Sequence, residues 1–260
     1  MGSWFDRVTT SVGFRSHTVR RTVRAIGRAL AASAAFGFAL IAYAYLTLPD
    51  VRALRTANPP STAFIDLRVR EARARGQTSR RVQVWVGYDS ISRDLVRAVL
   101  VAEDDAFWQH EGVDFAQIQE SLQADWERGR MLRGGSTITQ QLAKNLYLSP
   151  SRNPLRKLRE LIIARRLEAE LTKTRILEIY LNVIEWGDGV YGAEAAARTY
   201  FHKRAAELTP SDAALLAAVI INPRALNPSR PTARIVRRQQ LILRRMGGVR
   251  APQESAQLVR

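Results

Sequence analysis

Apolar and polar positions divide the chain into one long uncharged run near its start and a series of amphipathic stripes beyond it. From Ala29 to Leu48 (ALAASAAFGFALIAYAYLTL) no residue carries a formal charge. At about 1.5 Å per residue a helix of this length spans about 30 Å, the hydrocarbon thickness of a bilayer. Arg7, Arg15, Arg20, Arg21, Arg24 and Arg28 precede it against Asp6 alone. The positive-inside rule then predicts a cytoplasmic N-terminus, with everything after Pro49 exported. Tyr43 and Tyr45 suit the far interface. A cleaved signal peptide is the competing reading, with Ala42-Tyr43-Ala44 as its small-x-small site. The run is long for such a peptide, whose apolar part is usually ~7–15 residues, and this favours a retained anchor.

Residues 50–81 carry eight arginines, three acids and Pro59-Pro60 with no sustained apolar period, so a basic stalk is expected there. Val82–Val86 alternates and predicts a short strand. Beyond it the period is helical. Leu95, Val96, Val99 and Leu100 form a stripe up to Glu103, and Phe115, Ile118, Leu122 and Trp126 form another behind Asp114 as N-cap. Ser136 is placed to cap a helix bearing Ile138, Leu142 and Leu146. Leu158–Leu171, Ile176–Leu181 and Ala213–Ile221 predict further helices, the last capped by Ser211. Pro231–Met246 predicts a closing amphipathic helix with Ile235, Ile242 and Met246 on one side. The expected organisation is a basic tail (1–28), an anchor (29–48), a stalk (49–84), one mainly α domain (85–246) and a tail (247–260).

Composition sharpens this picture. The 260 residues are 46% apolar, enough for one good core. No cysteine is present, which removes disulfides and thiolate metal sites from consideration. The net charge is +16, and 36 of the 40 basic residues are arginine. Such a surplus favours anionic partners. Nucleic acid is not expected among them, because the basic bulk is predicted to lie outside the cytoplasm. The four lysines, Lys144, Lys157, Lys173 and Lys203, all fall in the central part of the chain. A compact ammonium differs from a planar guanidinium where it must follow moving phosphate oxygens.

Candidate chemistry concentrates in three segments. Glu103–Gly112 (EDDAFWQHEG) puts Glu103 at the end of an apolar stripe, where partial burial raises a carboxyl towards the range useful for proton abstraction. Asp104 faces elsewhere, and Phe107 and His110 are placed to close over the pair. Gly134–Gln141 (GGSTITQQ) opens a helix on which Thr137, Gln141, Lys144 and Asn145 share one polar face, opposite Ile138, Leu142 and Leu146. Its N-terminus offers unpaired N–H groups to an anion. Arg156, Lys157 and Glu160 lie within about one helical turn and can converge on one site. Taken singly, each has a plain alternative: a solvated acid, a capped surface helix, an Arg156–Glu160 surface ion pair.

Taken in order, these segments resemble the motifs of the peptidoglycan glycosyltransferases, the enzymes that polymerise lipid II into cell-wall glycan. Lys173–Asn182 (KTRILEIYLN) and Ala213–Pro223 (AALLAAVIINP) resemble that family's fourth and fifth motifs, and the resemblance runs from about Trp85 to Pro223. Glu185-Trp186-Gly187 through Gly192-Ala193-Glu194 looks most like the monofunctional branch. The resemblance implies a lysozyme-like helical glycosyltransferase domain behind a single transmembrane helix in the bacterial inner membrane, facing the periplasm. It implies Glu103 as general base and Glu160 as its donor-side partner. Asp104, Phe107, His110, Thr137, Gln141, Lys144, Asn145, Arg156 and Lys157 would bind substrate. Mg²⁺ or Mn²⁺ at Glu160 is a candidate but not a required cofactor. The implied partners are lipid II, lipid-linked glycan and membrane lipid, with cell-division or wall-synthesis proteins as candidates. No Ser-x-x-Lys and no Lys-Thr-Gly occurs in the chain, so no transpeptidase is expected on it. A membrane-anchored lytic transglycosylase or lysozyme-like hydrolase is the alternative enzyme. It shares the helical fold and a lone acid but does not account for the cations between Gly134 and Glu160. A basic scaffold without catalysis leaves the acids and amides of the motifs unexplained.

Overall fold

The computed structural model describes residues 9–114, 119, 135–151 and 153–248. The chain forms two compact units, Met1–Leu48 and Pro49–Arg260. The first is a single helix, α1 (Thr9–Leu46), within which Thr22–Tyr43 is long and apolar enough to cross a membrane. This span begins seven residues earlier than the uncharged run, because isolated Arg24 and Arg28 do not interrupt it. None of it is buried, and Phe36 and Phe38 stand in the open. A helix that exposes large apolar side chains is what a bilayer would cover.

The second unit is built on helices whose starts are written in the sequence. Thr62, Ser92, Asn153 and Thr172 cap α2 (Ala63–Ala74), α3 (Arg93–Glu103), α5 (Pro154–Glu170) and α6 (Lys173–Val183), each accepting a backbone N–H one turn in. Thr137 caps α4 (Ile138–Tyr147), one residue later than expected from Ser136. The hydroxyl of Ser136 is engaged instead by Lys157. α7 covers Ala193–Phe201. Thr209, not Ser211, caps α8 (Pro210–Val219) in a box with Asp212, because Pro210 takes the first helical position, where its missing N–H costs nothing. Ser211 then accepts from Gln239 of α9 (Ala233–Gly248).

α8 is apolar on all sides and correspondingly buried, with α3 and α9 packed on it. α3 gives it Leu95, Ala98 and Val99, each fully buried, and α9 buries Ile235, Ile242 and Met246 as its stripe predicts. α4 packs against α2, α5 and α6. A small sheet closes one side in the order β1 (Val82–Gln83), β3 (Val190–Tyr191), β2 (Glu185–Gly187), with β1 parallel and β2 antiparallel to β3. The predicted strand Val82–Val86 is therefore cut to two residues. Val86 leaves the ladder for the buried Asn182 side chain, which accepts from its N–H at 3.0 Å and donates to its carbonyl at 2.9 Å.

The stretch read as a stalk folds onto the domain. Val51, Leu54, Ile65 and Ala72 are buried, and α2 occupies its middle. Its arginines find acids beyond reach of any local pattern: Arg55 bonds Glu170 and Arg68 pairs with Glu185. Arg175 in turn caps the Leu54 and Ala57 carbonyls. The helix expected over Phe115, Ile118, Leu122 and Trp126 lies outside the described residues, as do Gly134 and residues 249–260 of the C-terminal tail.

Candidate active site

The site begins where α3 ends. Glu103 is its last residue, with a side chain only 14% exposed, and Asp104 turns away as the C-cap. Asp104 is sealed from solvent. It accepts from His110 Nε2 at 2.9 Å and from the N–H of Ile138, the first residue of α4, at 2.8 Å. The Gly112 N–H donates to His110 Nδ1 at 3.1 Å, so the imidazole carries its proton on Nε2, towards Asp104. Gly112 itself has φ +83°, and a Cβ there would sit 3.0 Å from Glu168 Cγ and 3.3 Å from the Ala164 carbonyl oxygen. Phe107 is fully buried, edge-on to Trp108 and His110, with the Lys173 ammonium 4.5 Å from its ring centroid. That ammonium also donates to the His110 carbonyl and to Glu168, which takes the Thr139 hydroxyl as well.

α4 supplies the opposite wall. Thr137 caps it and donates to the Gly112 carbonyl at 2.7 Å, and Gln140 Nε2 reaches the same oxygen at 3.2 Å. Gln141 Nε2 donates to Glu103 Oε2 at 3.0 Å. Its own Oε1 accepts from Tyr180 Oη at 2.9 Å. Burial, and then the charges of Glu103 and Asp104, push the Tyr180 hydroxyl far above its ordinary range. It is therefore a fixed donor, and it holds the Gln141 amide with its N–H side towards Glu103. Asn145 donates back to the Gln141 carbonyl at 2.9 Å. Burial foremost holds the Lys144 ammonium below the usual lysine range, and Arg156 and Lys157 add to that against the pull of Glu160 and Glu103. Among the described residues Lys144 forms no ion pair; it lies 5.9 Å from the Phe64 ring centroid.

α5 starts at Asn153-Pro154 and brings the third group. Glu160 is 3% exposed, with Arg156 Nη1 and Lys157 Nζ each 2.5 Å from one of its oxygens. Lys157 spends its other donors on Ser136 Oγ at 3.1 Å and Gln140 Oε1 at 2.9 Å. Arg156 Nε is buried and has no hydrogen-bond partner among the described residues. These neighbours are cations and donors, not metal ligands. Both Glu160 oxygens are taken, and the described residues hold no cluster of three His, Asp or Glu side chains. The arrangement does not fit Mg²⁺ or Mn²⁺ on Glu160.

Burial pushes the Glu103 carboxyl above its ordinary value; the Gln141 hydrogen bond, Arg238 and Lys144 act the other way, and Asp104 adds to the rise. The eleven residues singled out by sequence thus fall into two groups. Asp104, Phe107 and Thr137 are 0–1% exposed and His110 nearly so, and together they lock the Glu103–Gly112 loop to α4. Glu103, Gln141, Lys144, Asn145, Arg156 and Lys157 retain partial access, with Glu160 buried beneath its two cations. Sequence reading missed Gln140, Tyr180 and Arg238. Gln140 adjoins Gln141 in the same motif, and Tyr180 lies in a segment whose spacing reads as core. Arg238 Nη2 reaches Glu103 Oε1 at 3.4 Å from 135 residues away, with no local signal.

Fold and site together set a shielded carboxyl and a cluster of cations in a mainly helical domain, in a chain whose first helix is long and apolar enough to cross a membrane. The sequence model of the family described as Transglycosylase matches residues 70–247, and the chain belongs to that family. It is similar to proteins named biosynthetic peptidoglycan transglycosylase. That of Thiobacillus denitrificans is 49% identical over 195 residues, 75% of this chain and 84% of the relative. Those of Azoarcus sp. and Laribacter hongkongensis are 48% and 47% identical, covering 77% and 75% of this chain and 86% of each relative.

Proposed function

We propose that the protein polymerises peptidoglycan glycan strands, transferring a growing chain from its undecaprenyl pyrophosphate carrier to lipid II. The observation that carries this reading is the pairing of a buried, amide-oriented Glu103 with the Arg156–Lys157–Glu160 cluster in a chain of the transglycosylase family. Glu103 takes the proton from the 4-hydroxyl of the acceptor's N-acetylglucosamine. The freed oxygen pair bonds to the donor's anomeric carbon from the face opposite the carrier. The bond from that carbon to the pyrophosphate oxygen breaks, its electrons leave with the pyrophosphate, and α becomes β-1,4. A base whose affinity for protons is raised by burial suits this step.

Arg156, Lys157 and Lys144 hold the charge that develops on the leaving pyrophosphate. Glu160 spaces two of these cations, a positioning role for which its burial and its two short ion pairs speak. Gln141 orients Glu103, and the Asn145 amide is placed for sugar hydroxyls. Asp104, Phe107, His110 and Thr137 are positioning residues that fix the loop under Glu103. The span Thr22–Tyr43 would hold the enzyme in the inner membrane, N-terminus inside and the domain in the periplasm, where both lipid-borne substrates reside.

Incubating the detergent-solubilised protein with labelled lipid II and separating the products tests the reading. Polymer from the wild type, with Glu103→Gln slower by about 100-fold or more, is the expected result. Release of anhydro-muropeptides from preformed wall, without polymer from lipid II, would reverse the assignment towards a lytic enzyme.

A further inference from the structure

The arginines of α9 do not share one environment. Arg238 pairs with Glu103 at the end of α3 at 3.4 Å, and Arg245 with Asp105 just beyond it at 2.8 Å. Arg234 and Arg237 are exposed and form no ion pair among the described residues. Instead they border an open cavity of about 360 Å³ between the end of α8, the segment after it and α9. Its lining is chiefly apolar, from Ile221, Leu226, Ile235 and Leu241. Ile221 and Leu241 remain 46% and 48% exposed although both have apolar neighbours. Arg238 also lines this cavity, and its buried Nε has no hydrogen-bond partner among the described residues. Three guanidiniums with unspent donors therefore stand beside a greasy recess.

We propose that this cavity is a site for an anionic membrane phospholipid, its acyl chain against Ile221, Leu226 and Leu241 and its phosphate against Arg234 and Arg237. Charge selects the occupant: guanidiniums grip phosphate oxygens through paired N–H groups, and a zwitterionic headgroup carries a cation that the same three charges repel. The apolar lining demands a chain as well as an anion, which separates this ligand from free phosphate. Supply is assured by a chain that itself carries a membrane-spanning segment. The inference stands independently of the polymerase reading.

The test uses the full-length protein in an uncharged detergent, titrated with dihexanoyl phosphatidylglycerol, dihexanoyl phosphatidylcholine or inorganic phosphate. Amide hydrogen exchange over residues 218–241 is the readout, so lipid around α1 does not contribute. Phosphatidylglycerol is expected to slow exchange there, while the other two at equal concentration leave it unchanged. Arg234→Gln combined with Arg237→Gln should require roughly ten- to thirty-fold more phosphatidylglycerol for the same protection. Leu241→Ser, also at an exposed position, should weaken protection by removing apolar lining while adding no charge beside the guanidiniums. Equal protection by phosphatidylcholine would overturn the proposal, as would full protection by phosphate alone. So would unaltered binding in both variants, or protection that follows protein concentration and marks a second copy instead of lipid.

Discussion

Glu103 and Glu160 are chemically the same side chain in opposite settings. Glu103 meets one amide N–H and a guanidinium at 3.4 Å, whereas Glu160 meets two cations at 2.5 Å. For Glu103, burial wins over its partners, so the folded state favours the protonated form relative to the unfolded chain. The sign of the linkage follows. Its contribution to stability is fully present below the unfolded pKa and is lost as pH rises through the higher folded one. Glu103→Gln should therefore raise Tm near neutral pH, and the gain should vanish as pH falls below about 4, the unperturbed glutamate range. Thermal unfolding of both proteins across pH checks this; a pH-independent difference would remove burial as the cause. Catalysis gives a second handle. Because the Gln141 N–H lowers the Glu103 pKa, Gln141→Leu should move the acid limb of the polymerisation rate to higher pH and slow the reaction at neutral pH. An unmoved limb would mean that Gln141 does not bond the reacting carboxylate.

At the scale of elements, the helices were legible and their connections were not. Apolar stripes placed α3 and α9, because a face buried on one neighbour leaves a regular period, whereas α8 shows as an unbroken apolar run because it is buried on all sides. Caps were misplaced by one or two residues at α4 and α8, where several hydroxyls lie in a row and geometry decides which one turns inward. The supposed stalk failed for a different reason. α2 contributes little apolar surface, so its place on the domain rests on Ile65 and Ala72 and on arginines that reach acids over 100 residues away. Composition cannot register such partners. In the site, the positions that resembled motifs were readable, whereas Tyr180 and Arg238 were hidden by core-like spacing and by distance along the chain. Some small residues, too, acquire meaning only from packing. A Cβ on Gly187 of β2 would sit 1.6 Å from Tyr200 Oη. Gly187→Ala should cost about 1–3 kcal/mol in urea unfolding. Tyr200→Leu in the same chain should recover part of that loss; no recovery would place the cost elsewhere.

For the whole molecule, the two compact units imply separable tasks. Pro49–Arg260 holds every residue assigned to the site, while α1 holds none. A protein lacking residues 1–48 should lose from its far-UV spectrum only the helical signal of α1 and keep its activity on detergent-dispersed lipid II. On lipid II embedded in vesicles it should lose roughly 100-fold, because tethering raises effective concentration without adding a contact at the site. Equal loss in both formats would assign α1 a structural part in the domain. Under the proposed function, the first unit would set where the reaction runs and the second how.

Glu160 also bears on what the cation cluster ignores. Its carboxylate already occupies the places that a small anion would take on Arg156 and Lys157. Any arriving anion must displace a resident that is covalently held, needs no entropy to return, and leaves the trio one positive charge short. Chloride, acetate or a single phosphate contends with that resident on poor terms. A pyrophosphate, presenting several oxygens at once and delivered by its lipid, does not. Under the proposed function, the buried acid would therefore act as a threshold, keeping the cluster unresponsive to ordinary salts while leaving it open to a multivalent group presented at the membrane.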